Sequence, residues 1–116
     1  MMEKVLLCAF NGELMCFVHV LLNGLDMNEK GMEGKIIFEG ASVKLIPELE
    51  KSSNPFHSLY KQAQEKGLLL GACMACSAKL GVLEAVQNAG LPLLDGMKGH
   101  PALSEYMEQG YTIQTF

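Results

Sequence analysis

The sequence predicts an α/β fold, a three-layer α/β/α sandwich with a mainly parallel, five-stranded sheet. Three observations predict it. Short apolar runs alternate with helix-patterned segments along the whole chain. Those runs are continuous in hydrophobicity, as in strands covered on both faces. The chain has 116 residues, 49% hydrophobic and 19% charged, which suits one core and one domain over residues 1–116. No internal repeat, low-complexity tract or linker divides it.

The elements follow in order. Residues 5–10 are an apolar run closed by Asn11-Gly12, a buried strand and a tight turn. Residues 13–30 read as a helix, with Leu14, Phe17, Val18, Leu21, Leu22 and Leu25 at helical spacing. Met15, Cys16 and Val20 widen its apolar surface, so it is expected to be sandwiched, inside the domain or against a second subunit. Residues 35–38 form the second strand, stopped by Glu39-Gly40-Ala41. Residues 43–50 contain Pro47 and allow only a short, interrupted helix. Asn54 as cap and Pro55 at the first helical position start a helix that runs through 56–66. Residues 68–71 are the third strand. Residues 73–80 and 82–89 are helical on either side of Gly81, and 91–94 form a fourth short strand. A loop over 95–100 leads to a last helix from Pro101 to Gln109, and residues 111–116 close the sheet.

The net charge is −4, and all nine basic residues are lysine. Without arginine the chain lacks the bidentate fork that reads guanine and grips phosphate, so no nucleic acid is expected as partner. No Walker or G-x-G-x-x-G pattern follows the first strand, so no nucleotide cofactor is expected either. The N-terminal apolar run is too short for a secretory signal, and no stretch is long enough to span a bilayer. A cytoplasmic protein without membrane contact is the reading. In a reducing cytosol its four cysteines are reactive, metal-binding or buried rather than a disulfide framework.

Functional groups of an open parallel sheet collect beyond the carboxyl ends of its strands. Four segments stand there: Asn11-Gly12, Glu39-Gly40-Ala41, the stretch from Cys73, and Asp95 to His100. The densest feature is Cys73-Met74-Ala75-Cys76, two thiols on one side of a helical turn at a strand-to-helix junction. Unpaired backbone N–H groups there favour thiolate, most of all at Cys73. Ser77 and its neighbours can supply further N–H donors, and Lys79 positive potential. His100 can act as proton donor or as a cation beside a thiolate. A Glu39 carboxylate would oppose an anionic sulfur species, which argues against a direct role.

The residues alone leave four readings open. Both thiols can be small buried core residues. They can be a thioredoxin-type dithiol, although the residues around that motif are missing. They can bind zinc, but no second CxxC or HxxxH completes the ligand set, so no metal site is assigned. They can form a nucleophilic site that carries a transferable group. Cys8 reads as core, Cys16 as packing or interface, His19 as an interior or interface residue and His57 as surface.

At these residues the chain resembles the DsrE-like family of sulfur-relay proteins, which includes the TusD-type carriers and the YchN-type fold. The resemblance rests on the first strand, the long apolar helix and Glu39-Gly40-Ala41. It rests also on a cysteine after the third strand, eight positions ahead of Gly81, and on the Thr115-Phe116 end. It implies that Cys73 accepts sulfane sulfur as a persulfide and passes it to a partner thiol. It implies that Cys76 matches a second cysteine found in some branches. Asn11, Gly40, Ala41, Ser77, Lys79 and His100 then line or support the site. No cofactor is implied. The implied partners are sulfur donor and acceptor proteins or low-molecular-weight thiols, together with further copies of the chain, from dimer to hexamer. The chain departs from relay members in carrying Lys79-Leu80 where they often have arginine. The alternative from another class is a non-catalytic oligomeric module that binds a ligand or protein, its cysteines buried. A metal-binding module comes third.

Overall fold

The computed structural model describes residues 2–116. Its sheet holds β1 (Lys4–Ala9), β2 (Glu33–Phe38), β3 (Leu69–Cys73), β4 (Leu93–Leu94) and β5 (Tyr111–Thr115). The strand order is β4-β3-β2-β1-β5, and every pair is parallel. The helices are α1 (Leu14–Glu29), α2 (Leu45–Leu49), α3 (His57–Glu65), α4 (Met74–Lys79), α5 (Leu83–Asn88) and α6 (Leu103–Glu108), with a 3-10 turn at Gly40–Lys44 before α2.

This order makes the two helical layers unequal. From β1 to β4 the chain steps across the sheet in one direction, so right-handed crossovers put α1 to α5 on the same face. There Leu7, Ile36 and Phe38 of the sheet bury against Phe17, Val20 and Leu21 of α1, Ile46 and Leu49 of α2, Tyr60 of α3 and Val86 of α5. Phe17 stacks on Phe38 with ring centroids 4.7 Å apart. From β4 the chain returns past β1 to β5, and the connection crosses the opposite face. That face buries Leu6, Cys8, Ile37 and Tyr111, with Leu103 and Tyr106 of the six-residue α6 packed on them.

Several boundaries shift for local reasons. Asn54 does not cap α3. Its Oδ1 accepts the Phe56 N–H at 2.9 Å and its carbonyl accepts that of His57 at 3.0 Å, closing a turn just ahead of the helix. Pro101 does not open α6, because Ala102 is still extended and the helix starts at Leu103. β4 shrinks to two residues at the sheet edge, where the N–H-less Pro92 contributes only its carbonyl, to Ala72 N–H at 2.9 Å. Gly71 lets β4 come this close. A Cβ there, at φ +151°, would stand 2.4 Å from the Pro92 carbonyl oxygen.

One consequence positions the site. The chain leaves β3 toward one face and β4 toward the other, so the sheet's switch point lies between these two strands. A crevice is expected outside their carboxyl ends. Cys73, the last residue of β3, pairs there with Leu94, the last of β4.

Candidate functional site

Cys73 ends β3 and serves as N-cap of α4, its sulfur accepting the Cys76 N–H at 3.3 Å. It therefore belongs to the strand end rather than to a helix running from 73. The turn of α4 brings Cys76 back over the junction. From β4 the loop 95–100 returns along the same edge and is pinned by Ala75 N–H to the Gly99 carbonyl at 2.8 Å. That anchor delivers His100. Its Nδ1 lies 3.2 Å from the Cys73 sulfur and 4.0 Å from the Cys76 sulfur. With the ring proton on Nε2, Nδ1 accepts the Cys73 S–H; the Gly99 carbonyl, 3.8 Å away, is the alternative acceptor. The third wall is Gly40, whose N–H points at the Cys76 sulfur from 3.3 Å. Its φ of +55° aims that donor, and a Cβ would press on the Phe10 carbonyl at 3.3 Å, so glycine suits the position.

The electrostatics correct one expectation. A helix N-terminus favours thiolate, yet Cys73 is fully buried and its thiol is pushed up to about 12. Burial is the main cause and a hydrogen bond with Cys76 the next; the Cys76 N–H pulls the other way, and nearby Cys76 and Glu39 charge adds to the rise. The six-residue α4 supplies one N–H, too little to offset the loss of water. Cys73 therefore rests as a thiol. Cys76 is only partly buried, so an incoming reagent meets it first.

Glu39 is buried, with one carboxyl oxygen lacking any hydrogen-bond partner. Burial raises its pKa, partly countered by the His100 ring. A carboxyl held toward its neutral form opposes an anionic sulfur less than a free carboxylate would. Its position directly after β2 is the signal that marks it, the same that marks Cys73; its burial was not legible.

The remaining expected site residues divide. His100 and Gly40 join the thiols. Ser77 turns away, its hydroxyl donating to the Cys73 carbonyl at 2.7 Å; it fixes the turn rather than facing sulfur. Asn11 is exposed and accepts the Glu13 N–H at 2.7 Å, a turn role. Ala41 is exposed and packs beside Gly12. Lys79 is exposed at the far end of α4, a full turn from the thiols, so it is not brought to them. Cys8 is core, its thiol pushed up to about 12 by burial and by Glu39. Cys16 is exposed on α1 beside Met15, His19 and Leu22, so α1 is covered on one side only.

Among the described residues no helix is long and apolar enough to cross a membrane. No known family model matches the chain. Over 96 residues it is 31% identical to the uncharacterized protein MJ0733 of Methanocaldococcus jannaschii, covering 83% of this chain and 76% of that protein. Its fold is similar to that of BT1422, a conserved protein of unknown function from Bacteroides thetaiotaomicron. The TM-score is 0.71 at 22% identity, over 97% of this chain and 95% of the other.

Proposed function

The chain belongs to the same family as MJ0733 of Methanocaldococcus jannaschii, and we propose that it is a sulfur carrier of the DsrE-like kind, holding sulfane sulfur as a persulfide on Cys73 with Cys76 assisting. The observation that carries this reading is the convergence of two free thiols and one imidazole at the sheet's switch point, with Nδ1 3.2 Å from the Cys73 sulfur. A donor persulfide reaches the partly exposed Cys76 first. Its thiolate attacks the donor's outer sulfur, forming Cys76–S–SH and releasing the donor as a thiol. Cys73 then attacks the outer sulfur of Cys76–S–SH while His100 takes its proton. Cys73–S–SH forms, and the Cys76 sulfur leaves and is reprotonated. The sum is Cys73–SH plus R–S–SH giving Cys73–S–SH plus R–SH, with no net redox change. His100 offsets the high resting pKa of Cys73 by serving as the base at the moment of attack.

Release to an acceptor thiol reverses these steps. Alternatively Cys76 attacks the inner sulfur of Cys73–S–SH, leaving a Cys73–Cys76 disulfide and hydrogen sulfide. Complete burial of Cys73 shelters the persulfide from water and oxidants. The exposed side chains Met15 and Leu22 of α1 support a homo-oligomer, and the free thiols support work in a reducing cytoplasm. The same burial favours the second reading, an oligomeric binding module whose cysteines only fill space. The mass of the peptide bearing Cys73 and Cys76 after incubation with a persulfide donor separates the two, because the exposed Cys16 also adds sulfur to an intact mass. Carriage predicts one added sulfur atom on that peptide, stalled on Cys76 in Cys73→Ser, slow to form in Cys76→Ser and absent when both cysteines are replaced. The binding module predicts none.

A further inference from the structure

The three groups at the switch point also have the arrangement of a metal centre, and we propose that Cys73, Cys76 and His100 bind one zinc ion per chain. Their ligand atoms lie within 4.8 Å of one another, with the two sulfurs 3.2 and 4.0 Å from His100 Nδ1. A tetrahedral zinc, with Zn–S of about 2.3 Å and Zn–N of about 2.0–2.1 Å, sets S···N at about 3.5 Å and S···S at about 3.8 Å. The arrangement is therefore within about half an ångström of both sulfur–nitrogen separations. Two thiolates and a neutral imidazole cancel the charge of a divalent ion, which suits a largely buried ligand set. The thiolates would keep their donors, since Cys76 N–H already points at the Cys73 sulfur and Gly40 N–H at that of Cys76, each from 3.3 Å.

Soft sulfur ligands with imidazole select zinc over magnesium or calcium, which want oxygen. Three protein ligands leave a fourth position for water or an incoming thiol, the pattern of an open site. Cys76 and His100 are only partly buried, so an ion enters from their side. Zinc and persulfide would compete for the same sulfurs, and metal occupancy would hold the carrier closed.

Cobalt titration of the full-length, reduced, chelator-stripped protein tests this. One cobalt ion per chain is expected, with the intense visible bands of tetrahedral cobalt, thiolate charge transfer in the near ultraviolet, and bleaching by one equivalent of zinc. His100→Ala and Cys73→Ala should each lose those bands while circular dichroism stays native, and Cys16→Ser should keep them. The faint spectrum of octahedral cobalt, one ion per two chains, or an unchanged spectrum in folded His100→Ala would each overturn the proposal.

Discussion

Cys73 offers a sharp quantitative consequence of burial. A thiol at about 12 rather than the ordinary 9.0 holds roughly a thousandth of the thiolate at any pH below 9, and the thiolate is what alkylates. Complete burial can only slow the reagent further. The perturbation is unfolding. Cys73 in urea-denatured protein is expected to react with iodoacetamide at pH 8 at least about thirtyfold faster than in native protein, because the greater nucleophilicity of a high-pKa thiolate offsets part of its scarcity. Cys16, exposed in the fold, serves as an internal reference whose native and unfolded rates should differ far less. Quenched time points, digestion and peptide masses give each site's rate separately. Native labelling of Cys73 within about tenfold of its unfolded rate would refute the claim that burial outweighs the helix N-terminus.

Three further outcomes follow from the same physics. Cys8 is likewise pushed up to about 12, so its contribution to stability is present below about pH 9 and is lost as pH rises toward 12. Urea titrations between pH 9.5 and 11 should show Cys8→Ala losing stability with a slope smaller by about 1.4 kcal/mol per pH unit. The raised pKa of Glu39 likewise favours folding below its ordinary carboxyl range, a contribution lost as pH rises through its folded value. Glu39→Gln should flatten that loss, match or exceed wild-type stability at pH 7 by about 1 kcal/mol, and speed native alkylation of Cys73 by removing a nearby negative charge. Gly40→Ala forces a side chain into the left-handed region at φ +55°. Denaturant midpoints should report a loss of about 1–2 kcal/mol, accompanied by slower sulfur loading as the N–H to Cys76 is misaimed.

Much of the fold was legible because its signals are local. The runs that became β1 and β2 are apolar and closed by Asn11-Gly12 or Gly40, and α1 carries its apolar residues at helical spacing through 16 residues. The CxxC pair was legible too, since a strand-to-helix junction at the carboxyl edge can be read from the alternation alone. His100 was visible as a candidate, but its approach to Cys73 across 27 positions depends on β4 lying beside β3, and strand order leaves no trace in periodicity. The same holds for the closeness of Gly40 to Cys76. Cys73 acidity was misread because local reasoning counts the N–H groups of α4 and cannot count the layers that exclude water. Lys79 closes α4 at the exposed end of the helix, and nothing in the sequence pattern distinguishes that from a position beside the thiols.

Sulfur carriage on Cys73 is read by a peptide-resolved mass measurement on protein loaded with a persulfide donor and then trapped with an alkylating agent. One extra sulfur is expected on the peptide bearing Cys73 and Cys76, located on Cys73 at equilibrium. In His100→Ala the sulfur should stall on Cys76, because the base that activates Cys73 is gone. Folded wild-type protein that gains no sulfur on this peptide, or that holds it on Cys76 at equilibrium with Cys73 unmodified, would contradict carriage by Cys73.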